Sequence, residues 1–199
     1  PTGKMSSRTG DIITAEELID QTKAKLRQIE SEHSNLSAEE REANLEPIAL
    51  GAIKYSILKQ SPGRDIVFDF DKSLSVHGDS GPYLQYTYAR MRSIVTKSKG
   101  KSIKSKAGKL DQSEELALIK QLLNFPEILT GATTAIAPNQ LTLYLFELAN
   151  LANHFYEKVP VLKETDEATR AARLLLVATT ARTLQTGLGI LGIATLEQI

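Results

Sequence analysis

Three groups of side chains in this 199-residue sequence have the types and spacing for chemistry. The first is Lys4-Met-Ser-Ser-Arg8, where two cations bracket two hydroxyls just ahead of a helix start. Lys4 and Arg8 supply charge, and the Ser6 and Ser7 hydroxyls and loop amides supply neutral donors, a set that can hold triphosphate oxygens. Adenylyl transfer needs such a set, because negative charge builds on the departing pyrophosphate. A plain solvated loop is the other reading of the same five residues. The second group is Tyr83, Tyr86, Tyr88, Arg90 and Arg92. Tyr83 and Tyr86 are three apart and share a helix face. Aromatics interleaved with arginine can stack unpaired bases while the cations meet phosphates. Against this, Leu84 and Tyr86 could simply pack in a core with the arginines exposed. The third is the lysine run Lys97, Lys99, Lys101, Lys104, Lys106 and Lys109, either a nonspecific phosphate contact or a solvated linker.

Composition removes other chemistries. There is no cysteine, hence no disulfide, Cys-ligated zinc, iron–sulfur cluster or thiol nucleophile. His33, His77 and His154 are scattered without metal-ligand spacing. The pair Asp69 and Asp71 has no His or Lys partner close in sequence apart from Lys72, and reads as a solvated face. No apolar run reaches the roughly 18 residues of a membrane helix. Pro1–Asp11 is polar, unlike a signal peptide, and the missing initiator methionine predicts a piece of a longer chain. With 24 basic and 24 acidic residues the net charge is zero, so any nucleic-acid binding must come from local patches.

The elements that must position these groups are mostly helices. Thr14-Ala-Glu-Glu17 and Ser37-Ala-Glu-Glu40 are capping boxes that open two helices. Pro47 is expected to break or kink the second. Ile66-Val-Phe-Asp-Phe70 alternates like a strand. Pro82 starts a helix to about Val95, and Thr96–Leu110 reads as a flexible basic linker. Asp111 opens a helix ending near Phe125, Glu127–Ala137 forms a short one, and Pro138 begins a long one with Leu141, Tyr144, Leu148 and Phe155 on its buried stripe. Asp166 caps a last helix ended by Gly187, and the apolar tail is expected to form a turn and short helix. The reading is mainly α: a helical bundle over 80–199, preceded over 1–79 by a smaller helix and strand segment.

Several of these stretches together resemble arginyl-tRNA synthetase, a class I aminoacyl-tRNA synthetase. Lys4-Met-Ser-Ser-Arg8-Thr-Gly10 is similar to its signature loop. Ala52–Leu58, Phe68-Asp-Phe70 and Gly78-Asp-Ser-Gly-Pro-Tyr-Leu-Gln-Tyr-Thr-Tyr-Ala-Arg90 resemble its junction of catalytic and anticodon-binding domains. Tyr144–Ala149, Phe155-Tyr-Glu157 and Gly187–Ile199 resemble its helical anticodon-binding domain. Ser7 stands where the general class I loop has a second lysine, Thr9 replaces a basic residue many relatives carry, and Ile199 takes the place of a usual methionine. The resemblance implies an ATP-dependent arginine–tRNA ligase of the cytoplasm, with magnesium, whose arginine pocket and His-containing ATP motif lie upstream. This chain alone is then expected to be inactive and to hold no cofactor. Lys4 and Arg8 would be catalytic, and Lys4, Met5, Ser6 and Ser7 would meet ATP. Tyr83, Thr87, Tyr156, Pro160 and Ile199 would meet the tRNA anticodon loop. The implied partners are an arginine tRNA and the upstream catalytic domain, with no membrane, in a monomer. The competing function is a stand-alone, non-catalytic helical module for RNA or protein binding, which would have no need of an ATP loop at Lys4–Gly10. If the signature-loop reading holds, Lys4→Ala in a chain that includes the upstream part should slow arginyl-adenylate formation by roughly tenfold to a thousandfold. Pyrophosphate exchange measures this, and an unchanged rate refutes it.

Overall fold

The computed structural model describes residues 13–29, 36–66, 68–98 and 108–199. The signature-like loop at Lys4–Gly10 and most of the lysine run lie outside them. Among the described residues there are eight helices and no strand: α1 (Ala15–Ile29), α2 (Ala38–Leu58), α3 (Phe70–Ser73), α4 (Gly81–Lys97), α5 (Ser113–Leu123), α6 (Phe125–Thr134), α7 (Pro138–Lys158) and α8 (Glu167–Ile190).

Local chemistry sets most of the helix starts. The Thr14 hydroxyl accepts from the Glu17 N–H at 3.1 Å while the Glu17 carboxylate accepts from the Thr14 N–H at 2.9 Å. Ser37 and Glu40 make the same reciprocal pair for α2. Ser80 caps α4 through the Tyr83 N–H, with Pro82 in the first turn. At α5 the cap is Gln112 rather than Asp111, and Glu115 accepts from its N–H at 2.9 Å.

Four sequence expectations need correction. The helix α2 runs through Pro47 without a break: Leu45, Ile48 and Ala49 on either side of it are buried, and their packing outweighs one lost backbone hydrogen bond. The expected strand at 66–70 is absent from its described residues. Asp69 instead caps α3 through the Lys72 N–H, and no described strand offers the pairing edge a strand requires. Gly187 does not end α8. It lies inside the helix against the Leu145 side chain, where a Cβ would collide. The stop comes at Gly192, with φ +68°, where Ile193 N–H donates to Leu188 C=O and Gly192 N–H to Gly189 C=O, a Schellman ending. Beyond it the tail forms no helix but packs down without regular structure, with Ile193 buried. The same pair of bonds ends α6, but there Ile136 holds the left-handed position at φ +50° with its side chain 82% exposed. A β-branched residue is strained in that conformation.

Two cores result. The larger joins Tyr55 of α2, Leu84, Tyr88 and Met91 of α4, Leu118 of α5, Leu145, Leu148 and Phe155 of α7, and Leu174, Val177 and Leu184 of α8. The smaller joins Leu26 of α1 and Leu45, Ile48 and Ala52 of α2 with Leu74, and the tail residues Leu196 and Ile199 lean on it. Helix α4 packs on α2, α7 and α8 at once. It meets α2 backbone to backbone: a Cβ on Gly81 would overlap the Gly51 carbonyl. Gly81→Ala should therefore cost about 3 kcal/mol, the upper range for overpacking a site that cannot give. Thermal or urea melts of the two chains read this directly, and an unshifted midpoint would show that the crossing can widen.

Candidate nucleic-acid interface

One face of α4 carries Tyr83, Tyr86, Thr87 and Arg90 at positions i, i+3, i+4 and i+7, so helical geometry lines them up. Opposite them α7 presents Phe146, Asn150, Asn153 and Tyr156. Polar groups bridge this seam. The Tyr83 hydroxyl donates to Asn150 Oδ1 at 2.7 Å. Asn153 Nδ2 donates to the Tyr83 hydroxyl at 3.0 Å and to Thr87 Oγ1 at 2.9 Å. Arg90 Nη1 donates to Asn153 Oδ1 at 2.7 Å, and its Nη2 to the Tyr86 hydroxyl at 3.0 Å. The Arg90 guanidinium lies 4.7 Å from the Tyr86 ring centre and 5.1 Å from that of Tyr156, within cation–π range of both. Tyr83 also sets its ring edge-on to Phe146, 5.9 Å between centres. Tyr156 remains 45% exposed, which leaves aromatic surface for a stacked base.

The sequence-derived contact residues fall into distinct places. Tyr83, Thr87 and Tyr156 come together at this seam. Thr87 is fully buried, with its hydroxyl donating to Tyr83 C=O and accepting from Asn153, so it presents no surface to RNA. Pro160 is exposed, four residues beyond Tyr156 and just past the end of α7. Ile199 lies elsewhere. The tail crosses the opposite face of α4, where Glu197 accepts from the Tyr88 hydroxyl at 2.8 Å and from Arg92, and Ile199 rests half-buried on the smaller core. Lys4, Met5, Ser6, Ser7 and Arg8 lie outside the described residues. Among the described residues no group of three or more His, Asp or Glu could hold a metal ion, and no helix is long and apolar enough to cross a membrane.

The loop after α7 is held from beneath. Arg173, only 3% exposed, donates to Pro160 C=O at 3.0 Å, to Glu115 at 2.6 Å and to Glu164. Glu115 is fully buried and also accepts from the Gln112 N–H, so its oxygens are satisfied. The Asp166 N–H, with Arg173 assisting, holds the Glu164 carboxyl below the usual range. Ahead of α4, the Tyr55 hydroxyl donates to Asp79 at 2.6 Å, and Lys59 pairs with the same carboxylate at 3.2 Å. Burial foremost, and then the Asp79 hydrogen bond, push the Tyr55 phenol well above its ordinary value.

Sequence reasoning left Asn150 and Asn153 unremarked. Their signal was available: two amides three apart interrupt the apolar run of α7, in step with Tyr156.

The helical bundle thus carries, between α4 and α7, a seam of tyrosines, amides and one arginine. The sequence model of the DALR anticodon binding domain matches residues 84–199, more than half of the chain, and the chain belongs to that family. The model of the class I tRNA synthetase (R) catalytic domain matches residues 2–70. The chain is 38% identical to the arginine–tRNA ligase of Vibrio parahaemolyticus over 97% of its own length and 34% of that protein's. It is 38% identical to the Synechocystis enzyme over 98% and 35%. The arginyl-tRNA synthetase structure from Thermus thermophilus superposes with a TM-score of 0.83 at 32% identity, covering 99% of this chain and 34% of that one. The chain thus spans about a third of the length of the curated relatives it matches.

Removing Arg173 would leave Glu115 charged and unpaired in the core. Arg173→Met should cost about 3–5 kcal/mol, and adding Glu115→Gln to it should recover part of that loss. Denaturant melts of the single and double variants check this; a double variant worse than the sum of its parts contradicts the pairing.

Proposed function

We propose that this chain is the tRNA-reading part of an arginine–tRNA ligase, a cytoplasmic enzyme that activates arginine with ATP and transfers it to tRNA. The observation that carries the reading is the α4–α7 seam, where Tyr156 offers an exposed ring that Arg90 backs with charge. Single-stranded loops are read by such rings, because splayed bases stack on them and expose their edges to polar neighbours. Tyr83 contributes its half-buried ring and positioned hydroxyl, while Thr87 acts from behind by accepting from Asn153. Pro160, on its anchored loop, flanks the same end of α7. Ile199, on the far side of α4, fits a separate contact with the tRNA. Boundaries near residue 79 fit the two family matches, although α2 and the tail pack across that point. ATP and magnesium would be met by residues 4–8 together with parts of a longer chain, and the domain needs no second copy.

Zero net charge implies little counterion release, so affinity for RNA should be modest and its salt dependence shallow. The test is a titration of this chain with the anticodon stem-loop of an arginine tRNA, and with the same loop carrying a replaced central anticodon base. The arginine loop should bind more tightly. Tyr156→Ala should weaken it by about 1–3 kcal/mol, the value of one stacked base, with the melting curve nearly unchanged. Equal affinity for the two loops would refute the base-reading role.

A further inference from the structure

The amide of Asn153 bonds three residues of the seam, Tyr83, Thr87 and Arg90, and its orientation is forced. Arg90 can only donate, so Asn153 Oδ1 must face it. The Thr87 hydroxyl hydrogen is committed to Tyr83 C=O, and that of Tyr83 to Asn150. Both oxygens must therefore accept, and the two Nδ2 hydrogens of Asn153 satisfy them. No other side chain could serve all three neighbours in place: aspartate lacks the donors, and leucine lacks everything. The bond to Arg90 matters most for the surface. Arg90 is a long, flexible side chain whose two terminal nitrogens are pinned by Asn153 and Tyr86. Pinned so, its guanidinium lies 5.1 Å from the ring centre of the exposed Tyr156.

We propose that Asn153 is a positioning residue of the RNA-reading surface, fixing Arg90 beneath Tyr156 so that the ring is held ready to stack a base. This rests on the anticodon-reading function proposed above. Asn153 itself need not touch RNA. Its contribution is preorganisation: a ring already fixed loses less freedom when the base arrives.

The experiment uses the whole chain with the arginine stem-loop and its base-replaced counterpart, and reads the ratio of the two affinities beside a melting curve. Asn153→Leu should weaken the arginine loop about tenfold, the scale of one lost hydrogen bond to a charged group, and bring the ratio towards one. Adding Tyr156→Ala to it should then cost far less than Tyr156→Ala alone, because the ring has already lost its support. Asn153→Asp keeps an oxygen for Arg90. It should weaken both loops alike through its charge, yet keep the ratio, a rescue that a merely structural role would not give. Should Asn153→Leu not fold, Arg90→Lys replaces it, since lysine keeps the charge and loses the two-pronged fork; the same narrowed ratio is expected. An unchanged ratio in Asn153→Leu or Arg90→Lys, or full additivity with Tyr156→Ala, overturns the inference while leaving the anticodon reading intact. If the unaltered chain binds both loops equally, that reading fails and the inference falls with it.

Discussion

The crossing of α2 and α4 at Gly51 and Gly81 is the constraint on which the remaining arrangement depends. With no side chain between them, the two helices meet through bare backbone. That closeness lets Gln85 of α4 reach the carbonyls of Pro47 and Ala194, at 3.1 and 2.8 Å, and so tie α2 and the tail to one residue. It also places Tyr55 of α2 inside the larger core, and Asp79 where Tyr55 and Lys59 can hold it. The start of α4 is thereby fixed, and with it the rotation that points Tyr83 and Arg90 at α7. A wider crossing would turn that stripe away from Asn153.

The seam itself shows why polar side chains are tolerated between two helices that could have packed with leucine. Its groups all find partners, so no desolvated donor or acceptor is left to charge against stability. Apolar packing lies directly behind it, in Leu84, Leu148, Ala149 and Ala152. The bundle therefore draws its stability from those residues and can leave the outer rank of α4 and α7 polar. The buried Arg173 performs a similar service for the loop after α7. Val159 and Val161 anchor that loop on either side of Pro160, and the arginine closes it from within.

Much of this was legible in the sequence. The capping boxes at Thr14 and Ser37, the start at Pro82 and the stripe of α7 are local signals, written in neighbours three or four residues apart. The aromatic and arginine spacing on α4 was visible for the same reason. What failed needed distant partners. Phe68 and Phe70 alternate like a strand, but a strand needs an edge to pair with. Gly187 looks like a helix stop until Leu145, far away in the chain, is seen to fill the space where a Cβ would be. Pro47 interrupts a helix in isolation but not one clamped on both sides. The resemblance names Tyr83, Thr87 and Tyr156 as RNA contacts, and the three meet at one seam, yet burial, which no local pattern reports, separates Thr87 from the surface. Asn153 went unnoticed because an asparagine on a long helix looks ordinary until its three partners are known.

The seam is built from amides, hydroxyls and a guanidinium, with no carboxylate or imidazole among its bonded groups. The fastenings around it are of another kind. Glu164 and Glu197 are held ionised below the usual carboxylate value, Glu164 chiefly by the Asp166 N–H and Glu197 chiefly by the Tyr88 hydroxyl. Their support is complete above that ordinary value and fades as pH falls through their lowered folded values. Acid thus weakens the fastenings of the tail and of the loop after α7. What acid takes away is ionic support at the borders of the bundle, while the seam between α4 and α7 has no carboxylate to lose.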